Sequence, residues 1–144
     1  MVTPVIARAV PLDQLPVCHR IRREVFIDEQ AVPEADEVDG RDPQCDHFLA
    51  FLEGAPVGTA RLRITEDGHA KAERVAVLRP FRRHGVGAAL MSALEDRARA
   101  LGHQEVVLSA QVEAIPFYLA RGYEAYGPEF MDAGIPHRKM HLHL

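Results

Sequence analysis

Cysteine is scarce in this chain. Cys18 and Cys45 are the only two in 144 residues, and they do not form a C-x-x-C pair. No disulfide framework or catalytic thiolate is expected, and reduced thiols in a cytoplasmic protein are the default reading. No apolar run reaches bilayer-spanning length, and residues 1–17 lack the basic-then-apolar pattern of a secretory leader, so no membrane partner is expected. Positive charge is also in deficit: 17 Lys and Arg stand against 21 Asp and Glu, a net charge of −4. Long-range attraction to nucleic acid is therefore not expected, and any anion site must be a local basic patch. Repeats, low-complexity tracts and interdomain linkers are missing too, which predicts a single domain over residues 1–144, as a monomer or homodimer. Hydrophobic content of 47% is enough for an ordinary core without metal or disulfide support.

One basic patch stands out, Arg82-Arg83-His84-Gly85-Val86-Gly87, between a strand-like run ending at Leu78 and a helix-like run starting at Ala88. The first amides of a helix have no internal partner and carry the positive end of its dipole, so a strand–turn–helix junction with glycines and arginines suits a phosphate. A dinucleotide fingerprint would need a glycine at position 90, which is Leu90, and the Gly-Lys-Ser/Thr of a P-loop is absent. A nucleotide-binding reading is disfavoured accordingly.

Hydrophobic periodicity and turn residues predict the order β-α-β-β-β-α-β-α-β-β. The first strand is Val5 to Val10, followed by an amphipathic helix over 14–30 capped by Asp13. A loop from Asp28 to Asp42 carries seven carboxylates against Arg41 alone. Strands at His47–Leu52, Val57–Thr65 and Ala70–Leu78 join through turns at Gly54 and Gly68. A helix with Val86, Leu90, Leu94, Ala98 and Leu101 on one face ends at Gly102. A strand (Glu105–Ala110), a short helix (Ala114–Arg121) and strands at Tyr123–Tyr126 and His137–Leu144 complete the chain. His137, His141 and His143 share one face of the last strand. Without a ligand from elsewhere they read as the polar side of a half-exposed edge strand, and no metal is expected.

The turn has the form R-x-x-G-x-G. With Glu73-Arg74-Val75-Ala76-Val77 upstream and Phe117-Tyr118-Leu119-Ala120-Arg121-Gly122-Tyr123 downstream, it resembles the GNAT acyltransferase superfamily over nearly the whole chain. Val25-Phe26-x-x-Glu29-Gln30, Glu37-x-Asp39-x-x-Asp42 and Gly134-Ile135-x-His137-x-x-Met140 resemble its ElaA/YjcF-like subgroup. The resemblance implies an α+β fold with a mixed central sheet flanked by helices and a bulged fourth strand. It implies an acetyltransferase moving the acetyl group of acetyl-CoA to an amine acceptor by direct attack in a ternary complex. Arg82, Arg83, His84, Gly85, Val86, Gly87 and Ala88 would hold the pyrophosphate. The backbone of Val75, Ala76 and Val77 would hold the pantetheine arm, and Tyr118 would protonate the leaving thiolate.

The base for the acceptor ammonium has three candidates. Strand alternation puts Glu73 on the face of Val75 and Val77, where the family often has a carboxylate. Its other reading is a salt bridge to Lys71 or Arg74. His47 and His137 are the alternatives. The acidic loop would face the acceptor channel and attract a cationic amine, with Glu29 and Gln30 its most buried members and acceptor contacts. The competing function class is a non-catalytic acyl-CoA-binding or regulatory module.

Overall fold

The computed structural model describes residues 4–144, so residues 1–3 of the expected single-domain span lie outside the described residues. Strands β1 (Val5–Val10), β2 (Asp46–Leu52), β3 (Ala55–Ile64), β4 (Ala70–Val77), β5 (Glu105–Gln111), β6 (Glu124–Asp132) and β7 (Ile135–His143) form one sheet in the order β1-β2-β3-β4-β5-β7-β6. Among the described residues only the β4–β5 pair is parallel, so the sheet is mixed as expected. Helix α1 (Leu15–Arg22) covers one face. Helix α3 (Val86–Ala100) covers the other, with the short helices α2 (Glu34–Glu37) and α4 (Ile115–Ala120) between strands.

Each face has its own core. Leu90, Met91, Leu94 and Ala98 of α3 are fully buried against Phe48, Leu62, Val106 and Met140. Cys18, Ile21 and Val25 of the first helical segment pack on Leu49 and Ala76. Burial of this kind stabilises by roughly 1.5–3 kcal/mol per large aliphatic side chain, offset by the entropy of ordering it.

Several expectations needed correction. The first helix does not run evenly to residue 30: from Arg23 to Glu29 it widens into π-helical turns, with Gln30 N–H donating to the Val25 carbonyl at 3.2 Å. Asp13 does not cap it, since the helix is preceded by Gln14 and no side chain bonds its first amides. The acidic loop contains the one-turn helix α2. Leu101 is 43% exposed and leaves the buried face of α3. The seventh strand is not an edge: it is flanked by β5 and β6, and β6 runs nine residues as the outer strand.

The feature that matters most is a bulge in β4. Thr59 pairs with Ala76 but Arg61 pairs with Glu73, so the stretch between them holds one residue more on β4 than on β3. Arg74 takes φ +56° there, a costly conformation for a residue with a β-carbon. Its guanidinium donates to the carbonyls of Asp36 (3.3 Å) and Glu37 (3.2 Å), which ties the strained residue down. A bulge reverses which side chains face which way. Ala70 and Ala72 belong to the α3 core before it; Val75 and Val77 do after it, while Ala76 joins the α1 core.

Candidate active site

Beside the bulge, the β4–β5 ladder stops after Ala72 opposite Leu108. Beyond that point the strands part around a cleft of about 860 Å³, with Val75–Val77 on one wall and Ser109–Gln111 on the other. The inner edge of β4 thus leaves main-chain groups without a strand partner, as an extended amide-rich ligand requires. The side chains of Val75 and Val77 pack on the α3 core, so only their backbone faces this role.

At one end of the cleft α3 begins at Val86. Its first internal bond runs from Ala89 N–H to the Gly85 carbonyl (3.0 Å), so the amides of Val86, Gly87 and Ala88 precede the helical ladder. Gly85 sits at φ +79°, a backbone that a side chain would strain. Gly87 is small for a different reason, because a Cβ there would lie 3.2 Å from the Phe117 ring. Arg83 lines the cleft and has no ion pair among the described residues. Arg82 is already engaged: its Nη atoms donate to both Glu29 oxygens at 2.7 Å, and its Nε to the Val77 carbonyl at 2.9 Å. It fastens the turn to the end of β4 and to the first helix. His84 is exposed and does not line the cleft.

Tyr118, from α4, lines the same cleft and is 7% exposed. Its ring packs edge-on against Phe117 and Tyr123, with centroids 4.9 and 5.5 Å away. Burial raises its pKa far above the ordinary phenol value, partly opposed by Arg121, so it is a neutral O–H donor. Neighbouring Tyr123 is committed elsewhere, donating to the buried Glu95 at 2.7 Å, while Arg121 donates to the other Glu95 oxygen at 2.8 Å.

A forked parallel strand pair, an open helix N-terminus at its mouth and a phenol inside form one continuous site. The family described as acetyltransferase (GNAT) domain matches residues 10–144. The chain belongs to the GNAT acetyltransferases. The uncharacterized protein YyaT of Bacillus subtilis (strain 168) is 46% identical over 122 residues, covering 82% of this chain and 81% of YyaT. The uncharacterized N-acetyltransferase YjcF of the same organism is 41% identical over 129 residues, covering 89% of this chain and 91% of YjcF. The crystal structure of Escherichia coli ElaA matches with a TM-score of 0.80 at 27% identity, covering 96% of this chain and 98% of ElaA. The acetyltransferase falls in the ElaA/YjcF-like subgroup.

The remaining residues of this GNAT site distribute unevenly. Glu73 is not on the face of Val75 and Val77, because the bulge lies between them. It borders the cleft from the α1 side, where Arg61 (2.8 Å), Arg63 (2.9 Å) and Lys71 (3.5 Å) surround it. Burial alone would raise its pKa, but the hydrogen bond from Arg63 and the charge of Arg61 hold it below the usual glutamate value. A carboxylate stabilised by three cations is a poor proton acceptor, and the salt-bridge reading fits it better. His47 is 2% exposed, lies outside the cleft lining and bonds the Asp42 carbonyl at 2.8 Å; it is not positioned for an acceptor. His137 does line the cleft. Its Nδ1 lies 2.7 Å from the Ile135 carbonyl, which only accepts, so Nδ1 is the donor there and Nε2 is the nitrogen left for the cleft. Gln30 also lines the cleft, accepting from Gln111 Nε2 at 2.9 Å. Glu29 is exposed rather than buried, and is spent on Arg82.

The acidic loop borders the cleft as expected, through Asp36, Glu37 and Asp39, but departs from expectation in charge. Glu37 and Asp42 are each 4% exposed and turn inward onto Arg22, which donates to Glu37 (2.5 and 2.8 Å) and to Asp42 (2.8 Å). Arg61 donates to Asp39 (2.8 and 3.0 Å), Asp42 (2.9 Å) and Glu73. These carboxylates are neutralised by the fold and present little field to a cationic acceptor. Arg22 and Arg61 escaped the sequence reading, although each breaks an apolar stripe: Arg22 lies between Cys18, Ile21 and Val25, and Arg61 between Ala60 and Leu62.

Proposed function

We propose that this acetyltransferase uses acetyl-CoA and passes the acetyl group directly to an amine acceptor bound in the same cleft. The observation that carries the reading is the fork after Ala72 and Leu108, opening beside the start of α3 and holding Tyr118 within it. The amides of Val86, Gly87 and Ala88, with Arg83, suit the pyrophosphate, and the free inner edge of β4 suits the pantetheine amides. Acetyl-CoA would supply an activated thioester carbonyl; an N–H of that edge would donate to its oxygen. His137 Nε2 accepts the proton of the acceptor ammonium, directly or through water, and the freed amine attacks the carbonyl carbon. As the carbon–sulfur bond breaks, Tyr118 gives its proton to the thiolate, and the second proton released by the attacking nitrogen as the amide forms returns the phenolate to phenol through solvent. The burial that raises Tyr118 also makes a thiolate beside it more basic, so the transfer stays balanced. The acid and base available favour an enzyme over an acyl-CoA-binding module.

Two measurements test this. Acetyl-CoA is expected to raise the melting temperature of the wild type. Gly85→Val should weaken its binding at least tenfold by straining the turn that presents the amides. Undiminished affinity in that variant would remove the phosphate-turn assignment. In thiol-release assays across an amine panel, His137→Gln is expected to lose the acid limb of the pH–rate profile, while Glu73→Gln keeps it. The opposite pattern would return the base to Glu73.

A further inference from the structure

Three strands bring a histidine pair and two carboxylates together outside the cleft lining. His141 and His143 project from one face of β7, opposite Met140 and Leu142, which belong to the α3 core. In register, His143 pairs with Glu105 on β5, and His141 pairs with Glu124 on β6. None of the four lines the cleft. The first three residues offer one ligand atom each, all within 4.8 Å of one another. The sequence pattern lacked this ligand from elsewhere, because the pairing of β5 with β7 is not visible in it.

The spacings are informative. Glu105 Oε2 is 3.6 Å from His141 Nδ1 and 3.7 Å from His143 Nδ1. Both exceed a hydrogen bond, so the carboxylate is shared between two nitrogens and bonded to neither. Donor atoms around a tetrahedral ion with bonds of about 2.0–2.2 Å lie roughly 3.4 Å apart, so a small inward shift would complete three corners. The second nitrogen of His141, Nε2, is 4.0 Å from Glu124 Oε2, beyond hydrogen-bond reach, so Glu124 adds negative charge near the ring without orienting it. The rings of Tyr126 and His143 stand edge-on to His141, with centroids 5.1 and 5.3 Å away, and restrict its rotation.

We propose that Glu105, His141 and His143 form a binding site for a divalent transition-metal ion of zinc type, with water at the fourth position. Imidazole and carboxylate donors suit such an ion better than magnesium or calcium, which prefer all-oxygen shells. The bound ion clamps β5 to β7. It therefore acts on stability rather than on acyl transfer.

The test is zinc titration of the full chain after treatment with a chelator, by calorimetry and by thermal melting. One equivalent is expected to bind saturably. At a hundredfold excess over Kd the melting temperature should rise by about 5–10 °C. His141→Asn/His143→Asn should abolish both effects with an unchanged far-ultraviolet circular dichroism spectrum, and Glu105→Gln should weaken binding at least tenfold. Absence of saturable binding to the wild type overturns the proposal. So does stoichiometric binding that survives the double histidine substitution, or that Glu105→Gln leaves intact.

Discussion

Replacing Arg61 with methionine is expected to destabilise the fold by about 3–5 kcal/mol, the usual cost of removing one partner from a buried ion network. Arg61 is 1% exposed and serves three carboxylates on two segments: Asp39 and Asp42 of the acidic loop and Glu73 of β4. Methionine fills similar space but leaves those carboxylates with fewer donors in a poorly hydrated place. In urea denaturation the midpoint should fall, and the melting temperature should drop by about 10 °C. Arg61→Lys, which keeps the charge but loses the forked geometry, should fall between. The network also sets the sign of the pH dependence. Burial would raise Asp39 and Asp42; Arg61 dominates at Asp39, and Arg22, His19 and Arg61 together at Asp42, holding both well below the ordinary aspartate range. A carboxylate depressed in the folded state stabilises fully above its unfolded pKa of about 3.9, and that contribution drains away as pH falls. The gap between wild type and Arg61→Met should therefore be constant near neutrality and shrink below about pH 4. A gap that stays flat to pH 2 would mean that Arg61 acts by packing alone.

The element order was legible because each strand and helix carries local signals. Alternation bounded by Gly54 and Gly68 marks the hairpins, and Val86, Leu90, Leu94 and Ala98 mark the buried stripe of α3. The glycine-containing turn that opens α3 was legible for the same reason, since six consecutive residues contain it. What failed were inferences across a break in periodicity. Counting by twos from Val75 back to Glu73 passes through Arg74, whose positive φ is a property of its anchors in the acidic loop and not of its own side chain. The acidic loop read as an exposed attractor because its partners, Arg22 and Arg61, lie up to 22 residues away along the chain. The placement of β7 inside the sheet, and with it the meeting of Glu105 with His141 and His143, depends on strand order, which no local pattern encodes. Tyr118 needed the family resemblance to be singled out, and the fold then gave it a cleft to face.

Tyr118→Phe is expected to lower turnover by about 10²-fold, within the range for loss of a general acid, with little change in acetyl-CoA affinity. The substitution removes one oxygen and keeps a ring that packs edge-on between Phe117 and Tyr123. Its hydroxyl makes no hydrogen bond among the described residues, so its removal should leave stability level or slightly higher. That separates it from its neighbour. Tyr123→Phe strips a donor at 2.7 Å from buried Glu95 and should cost about 1–3 kcal/mol of stability. Its turnover, measured well below the melting transition, should stay close to wild type. Single-turnover thiol release with a saturating amine makes the comparison direct, because it isolates the step in which the carbon–sulfur bond breaks. A thiol that is a better leaving group needs less protonation, so an acyl donor built on a more acidic thiol should narrow the Tyr118→Phe defect and leave any Tyr123→Phe defect unchanged. If the Tyr118→Phe defect persists undiminished with the activated donor, the hydroxyl orients the thioester rather than protonating the sulfur. If turnover never falls at all, solvent is the acid and Tyr118 is part of the wall of the cleft.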